Sequence, residues 1–150
     1  MKFCLRPYTY KDKKALTKLL KNSSETTRKQ VSSWHQVSAL LEIMNAQPRN
    51  VYPMIGLLDR KAVCFGKLKI LGPTRAEIIG VIVVDDEQSK GYGTLLMNIL
   101  KEMAIVEKIK TLEVEVFKKN RRAIKFYKGL GYKMLASNPG WNSYKMEIKL

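Results

Sequence analysis

Apolar residues recur at helical spacing through the first third of the chain and then give way to β-branched runs. Lys2–Arg6 reads as a short strand stopped by Pro7, and Thr9 stands three residues before Asp12, the spacing of a capping box. The helix that follows carries Ala15, Leu16, Leu19 and Leu20 on one face. A polar loop, Asn22–Lys29, leads to a second helix with Trp34, Val37, Leu41 and Met44 at helical spacing and Pro48 just beyond its end. Val51–Leu58, Ala62–Leu71 and Ala76–Val84 are apolar runs broken at Asp59-Arg60 and Gly72-Pro73-Thr74, which predicts an antiparallel meander. After the loop Asp85–Gly93 a helix sets Leu95, Leu96, Ile99, Leu100, Met103 and Val106 on one side. A fifth strand, Thr111–Val116, alternates Leu112, Val114 and Val116 with Glu113 and Glu115. A fourth helix starts at Asn120, a good N-cap, and ends at Gly129-Leu130-Gly131. Two last strands, Tyr132–Ala136 and Ser143–Lys149, flank the turn Asn138-Pro139-Gly140. The order β-α-α-β-β-β-α-β-α-β-β predicts one α/β domain over residues 1–150, with a mixed sheet.

Composition narrows the setting. The 150 residues suit one core, and no apolar run approaches the roughly 18 residues of a membrane span. Met1–Lys14 has no apolar run of signal-peptide length, so a cytoplasmic location is the default expectation, and in that reducing compartment Cys4 and Cys64, which lack metal spacing, read as small buried hydrophobes. Charge changes the picture more. Lys and Arg number 28 against 13 Asp and Glu, a net charge of +15, which attracts anions: nucleic acid, acidic lipid or phosphorylated ligands. The excess is concentrated in Lys118–Lys133, which holds seven basic residues and no acidic one. That stretch is either a solvated helix face or an anion site.

One segment has the chemistry of an anion site. Gln88-Ser89-Lys90-Gly91-Tyr92-Gly93 places two glycines between a strand and a helix. Glycine lets backbone amides approach a ligand, and a helix N-terminus adds unpaired N–H groups and a partial positive charge. A pyrophosphate fits, each amide bond to a charged oxygen contributing about 1.5–3 kcal/mol. The structural alternative is a tight strand–helix turn. No Gly-Lys-Ser/Thr follows, which excludes a Walker loop, and a third glycine for a dinucleotide fingerprint is missing.

Gln88–Gly93 resembles the Gln/Arg-x-x-Gly-x-Gly/Ala signature of the GNAT (Gcn5-related N-acetyltransferase) superfamily. The similarity extends over Ala76–Glu102, which resembles the core of histone acetyltransferases. Asn120–Tyr127 followed by Gly131-Tyr132 resembles the superfamily's second signature. The resemblance implies a GNAT fold, a single domain whose mixed, mostly antiparallel sheet is flanked by helices. It also implies acetyl-CoA as co-substrate, with no metal, and transfer to an amine that attacks the thioester directly. Gln88, Ser89, Lys90, Gly91, Tyr92, Gly93 and Thr94 would bind the pyrophosphate by backbone amides. Backbone groups of Val81 and Val83 would pair with the pantetheine arm, and Asn120 would hold the coenzyme nearby, with Lys119 and Arg121 placed to meet phosphates. Glu77 matches the catalytic base of the histone enzymes. Tyr127 matches the tyrosine that protonates the departing thiolate in many members, where the histone enzymes carry phenylalanine.

A lysine-type amine with pKa near 10.4 is neutral about once in several thousand molecules at pH 7, so presenting it neutral costs roughly 4–5 kcal/mol. A base is therefore useful, and apolar Ile78, Ile79 and Val81 around Glu77 would raise its pKa by desolvation. The structural alternatives are a glutamate at a solvent-facing strand end and, for Tyr127, a core aromatic. His35 reads as a surface residue and Trp34 as core. Trp141 stands where the superfamily often lines its acceptor site, and Asp85, Asp86 and Glu87 read as a solvated loop. The acceptor is a small-molecule amine or a protein lysine. The rival classes are a basic nucleic-acid-binding module, with Phe126, Tyr127 and Tyr132 as stacking aromatics, and a coenzyme-binding regulator without turnover. Neither a membrane nor a specific nucleic acid is expected as partner, and a homodimer stays open.

Overall fold

The computed structural model describes residues 2–32, 36–46, 48–138, 140 and 142–150. Trp34, His35 and Trp141 lie outside the described residues. The strands are β1 (Phe3–Pro7), β2 (Val51–Leu58), β3 (Lys61–Ile70), β4 (Arg75–Val83), β5 (Thr111–Phe117), β6 (Lys133–Asn138) and β7 (Ser143–Lys149). They form one sheet in the order β1-β2-β3-β4-β5-β7-β6. Every neighbouring pair is antiparallel except β4 and β5. That parallel pair follows from the helix α4 (Tyr92–Val106), which carries the chain back from the end of β4 to the start of β5.

Helices cover both faces. On one, α1 (Lys13–Asn22) and α3 (Val37–Asn45) bury Leu16, Leu19, Leu20, Leu40 and Met44 against Ile55, Phe65 and Ile82. On the other, α4 and α5 (Arg121–Gly129) pack on Leu68, Ala76, Ile78, Leu112, Val114 and Met146. The capping box forms as read: Asp12 Oδ2 accepts from the Thr9 N–H at 2.9 Å, and Arg6 clamps the same carboxylate.

Three features depart from the sequence reading. The polar loop is in part a helix, α2 (Glu25–Val31), capped by Ser24, whose Oγ accepts from Thr27 N at 3.1 Å. It buries only Thr27, so no apolar period marks it. The buried stripe of α4 is Leu96, Met97, Leu100 and Ala104, whereas Leu95 and Val106 face solvent. Val106 is the last helical residue, beyond the sheet's cover. Glu113 is buried rather than solvent-facing, because Arg75 (2.6 Å) and Lys145 (3.6 Å) pair with it.

Lys67 is a buried cation that the strand pattern does not announce. Its Nζ donates to the Ile43 and Ala46 carbonyls at 2.7 and 3.0 Å, closing the end of α3. Burial lowers its pKa to about 8. Between that value and the unfolded value of about 10.4 the unfolded chain binds the extra proton, so this residue's contribution to stability improves as pH rises through that window. Lys67→Met is expected to flatten the rise in melting temperature between about pH 8 and 10 relative to wild type. Parallel curves for the two proteins would remove Lys67 as the cause.

Candidate active site

The site begins where β4 and β5 stop pairing. Their ladder covers Arg75–Ile78 against Thr111–Val114, yet β4 continues to Val83 and β5 to Phe117. The cause is local. Gly80 has φ 63, a conformation costly for any residue with a Cβ. Between Lys67↔Ile79 and Phe65↔Ile82 the register gives β4 two residues, Gly80 and Val81, against Gly66 alone on β3. This is a β-bulge, and a bulged strand bends. Beyond Ile78, therefore, β4 has no strand partner on its β5 side, and a cleft opens between the two strands.

The coenzyme-loop candidates collect on one half of that cleft. Val81, Val83, Ser89, Gly91, Gly93, Thr94 and Asn120 line a cavity of about 390 Å³, with Gln88 and Tyr127. Gly91, at φ 89, is the N-cap of α4, and a Cβ there would meet nothing within 4 Å, so the mouth of the loop is open. By helix geometry the N–H groups of Tyr92, Gly93 and Thr94 have no intrahelical acceptor. They stand at the positive end of a helix of 15 residues. A pyrophosphate matches this donor set.

Individual residues differ in what they offer. The Gln88 N–H already donates to Asp85 O at 3.2 Å, so this amide does not belong to the open set. Its side chain instead shapes the loop: Nε2 donates to Val83 O at 3.0 Å, and Oε1 accepts from Arg122 Nη1 at 2.7 Å. Arg122 Nη2 also donates to Ser89 Oγ at 2.5 Å, holding Ser89 at φ 66. Among the basic residues beside Asn120 it is thus Arg122 that reaches the loop, while Lys119 and Arg121 are exposed and do not line the cavity. Lys90 pairs with Glu87 at 3.2 Å, and the Tyr92 ring packs on Phe3 at 4.6 Å, so both bring only backbone to the loop. A Cβ at Gly93 would lie 3.4 Å from Phe126 Cζ, an ordinary contact, so helix packing alone does not require glycine there. Asn120 caps α5, its Oδ1 accepting from Ala123 N at 3.1 Å.

Helix α2 closes the other side. Asp85 Oδ1 accepts from Thr27 Oγ1 at 2.9 Å and from Ser24 N at 3.2 Å. Desolvation is the largest influence on this carboxyl and would raise its pKa. The hydrogen bonds from Ser24 and Thr27 together outweigh it and hold the group below the usual range. Asp85 is thus a tie between α2 and the loop rather than a free acidic group.

Glu77 lies in the second half of the cleft. It is half-buried on β4, in a cavity of about 220 Å³ with Glu115 and Ser143. Val81, Glu115 and Tyr127 line both cavities, so the halves meet there. Desolvation raises the Glu77 pKa, Glu115 and Glu113 push the same way, and Lys145 and Lys69 oppose them. Tyr127 is buried, and burial pushes its phenol up to about 12. Its ring contacts Tyr132 edge-on at 5.9 Å and Phe126 at 5.4 Å.

A family model for the acetyltransferase (GNAT) family matches residues 15–132. The chain belongs to the GNAT acetyltransferase family. Solved structures of similar fold agree with the sheet and helix order of this GNAT chain. The GNAT domain of S. lividans PAT superposes with a TM-score of 0.86 at 18% identity, covering 97% of this chain and 89% of that one. The PaiA N-acetyltransferase from Thermoplasma acidophilum, solved in complex with coenzyme A, gives 0.83 at 18% identity over 100% of both chains. The ribosomal-protein-S18-alanine N-acetyltransferase from Escherichia coli gives 0.77 at 16%, covering 99% and 94%. No curated protein sequence matches significantly. Among the described residues no helix is long and apolar enough to cross a membrane, and no group of three or more His, Cys, Asp or Glu is placed to hold a metal ion.

Proposed function

We propose that this GNAT enzyme transfers an acetyl group from acetyl-CoA to a primary amine by direct attack in a ternary complex. The observation that carries the reading is the single cleft running through the gap between β4 and β5. An open amide loop lies on one half, Glu77 on the other, and Tyr127 at their junction. The thioester supplies an activated acyl carbon when bound. Ser89, Lys90 and Gly91–Thr94 would hold the pyrophosphate, the open β4 edge at Val81 and Val83 would align the pantetheine arm, and Asn120 would border it. Glu77, directly or through one water, takes a proton from the ammonium, so that a neutral amine attacks the thioester carbon. The C–S bond breaks as the C–N bond forms, the Tyr127 hydroxyl hydrogen-bonds to the departing sulfur, and the proton that the acylated nitrogen sheds ends on that sulfur, giving the thiol.

The rival classes fare worse against the side-chain placement. Tyr127 and Tyr132 are buried and Phe126 packs on the core, so the basic helix offers no row of stacking aromatics for nucleic acid. A regulator without turnover has no use for a desolvated carboxylate and a buried phenol lining one cavity. A protein lysine is the second reading: the +15 field opposes a basic tail, but the carboxylates at this cavity oppose the field locally. Cys64 is buried as read, whereas Cys4 is exposed at the second position of the edge strand β1, contrary to that reading; free thiols suit a reducing cytoplasmic setting.

An amine panel with acetyl-CoA, followed by thiol release, tests the reaction. Binding is tested separately. Coenzyme A at 100 times its dissociation constant is expected to stabilise the protein by about 2.7 kcal/mol, seen as a raised melting temperature. Gly91→Val is expected to abolish that shift, because a β-branched residue resists the φ of 89° on which the loop depends. An unmoved wild-type curve at millimolar coenzyme would remove the coenzyme assignment.

A further inference from the structure

The acceptor half of the cleft holds more negative charge than proton transfer requires. Glu77 and Glu115 both line it, on neighbouring strands. Glu113 is opposite Glu77 in the ladder, but its charge is already met by Arg75 at 2.6 Å and Lys145 at 3.6 Å. Lys145 is also the cross-strand partner of Glu115, yet its Nζ is directed to Glu113. Lys69 stands across from Glu77 on β3, and Lys69 and Lys145 both act on Glu77 through space, but among the described residues neither Glu77 nor Glu115 has a cation within ion-pairing distance. Glu77 is half-buried, whereas Glu115 is exposed and shared with the coenzyme half, so one carboxylate is set inside and one at the rim where the halves meet. In a chain of net charge +15, two unpaired carboxylates in one small cavity run against the overall composition.

A second observation is independent of that charge. Ser143, on β7, is fully buried and lines the same cavity, and among the described residues its Oγ has no hydrogen-bond partner. Buried hydroxyls are almost always paired, so an unpaired one facing a cavity marks a place where a polar ligand atom completes it. Val31 from α2, Ile79 from β4 and Phe117 from β5 supply the apolar part of the remaining wall, beside Gln30 and Tyr127. The volume, about 220 Å³, is below the roughly 300–1,000 Å³ of drug-sized sites.

We propose that the acceptor is a linear aliphatic diamine or polyamine, with Glu115 and Ser143 as its specificity-determining residues. The inference rests on the N-acetyltransferase reading above. One nitrogen is acetylated beside Glu77, where it must be neutral. A second nitrogen keeps its charge and is held by Glu115 at the rim. The methylenes between them lie on Val31, Ile79 and Phe117, and Ser143 Oγ accepts from an N–H of the bound chain. From strand spacing, the Glu77 and Glu115 Cα atoms are about 8 Å apart or more, a separation that suits two nitrogens joined by a short chain. A monoamine gains nothing from Glu115.

The test compares 1,4-diaminobutane with n-butylamine, which share a carbon chain and differ by one ammonium. With acetyl-CoA, the wild-type kcat/KM is expected to favour the diamine by about tenfold, mostly through KM, with the preference shrinking as salt is raised. Glu115→Gln is expected to bring the ratio towards one, and Glu115→Asp to restore part of it. Binding gives a readout without turnover: with coenzyme A present, 1,4-diaminobutane is expected to raise the melting temperature of wild type more than n-butylamine does, and Glu115→Gln to remove the difference. Equal use of the two amines, a ratio unmoved by Glu115→Gln, or a lysine-bearing basic peptide surpassing the diamine overturns the proposal while leaving the transferase reading intact. Failure to acetylate any amine overturns the transferase reading and this inference with it.

Discussion

Glu77→Gln is expected to lower turnover by roughly 10²–10⁴-fold while leaving coenzyme affinity nearly unchanged. The second half follows from placement: Glu77 lines the half of the cleft away from the Gly91 loop, and none of its contacts shape that loop. The first half follows from its environment. Desolvation, aided by Glu115 and Glu113 and opposed by Lys145 and Lys69, raises its pKa above the ordinary carboxylate value. A base must be ionised, so activity falls as pH drops through that raised pKa. The acid limb of the kcat/KM profile is therefore expected above the usual glutamate value of about 4.3, and to vanish in Glu77→Gln. The deficit of the variant shrinks at high pH, where a free amine deprotonates unaided.

Stability separates this role from a structural one. A carboxyl whose folded pKa is raised binds its proton more readily in the folded chain than in the unfolded one. Above both values its ionised form therefore costs stability, and that cost is relieved as pH falls. The neutral glutamine carries no such cost, so the melting temperature of Glu77→Gln at pH 7–8 is expected at or above that of wild type. A large activity loss with unchanged or increased stability is the signature of a base. Loss of both together would make Glu77 a structural residue, and wild-type turnover on a good acceptor would mean that positioning a free amine suffices.

The parts of this structure that were legible in the sequence are those with local causes. The alternation of Leu112, Val114 and Val116 marks a strand with one buried face, and the runs on either side of Asp59-Arg60 and Gly72-Pro73-Thr74 pair as a meander. Asn120 caps its helix through a bond only three residues long. Helix α2 was not legible, because Glu25–Val31 is anchored by polar bonds to Asp85, some 58 residues away, rather than by an apolar stripe. The loop was legible in kind but not in detail. Gly91 and Gly93 announce close approach, whereas the clamp from Arg122 spans 33 and 34 residues, and nothing local marks Arg122 out from the other six basic residues of its stretch. The acceptor half was the least visible. Glu77, Glu115 and Ser143 come from three strands and share a cavity only because β4 bends at Gly80. A glycine inside an apolar strand run is the one sequence signal for that bend. The roles of Glu77 and Tyr127 came from family resemblance, since nothing in their own neighbourhoods distinguishes a reactive side chain from a packed one.

Tyr127→Phe is expected to reduce turnover by about 10- to 100-fold with the fold intact, and the size of the effect follows from the acidity of the group. Burial pushes the phenol up to about 12, so it stays protonated across the working range and is always able to donate. A coenzyme thiol titrates near 8.5, so complete transfer of the phenolic proton to the thiolate runs uphill by about 5 kcal/mol. The hydroxyl therefore acts mainly as a hydrogen-bond donor to developing charge on sulfur. A bond of that kind is worth about 1.5–3 kcal/mol, which sets the expected range. The ring stays packed on Phe126 and Tyr132, so the melting temperature is expected to change little. The pH dependence distinguishes the two positions. The Tyr127→Phe deficit is expected to stay constant from about pH 6 to 8, because the acceptor's charge is not its cause, and to narrow above about 8.5, where the thiolate leaves unprotonated. Relative kcat values for Tyr127→Phe and Glu77→Gln across that range, measured on one good acceptor, decide the matter. A Tyr127→Phe loss beyond about 10³-fold would indicate full proton transfer in the rate-limiting step. A loss that shrinks with pH in parallel with that of Glu77→Gln would place Tyr127 on the amine side of the reaction instead.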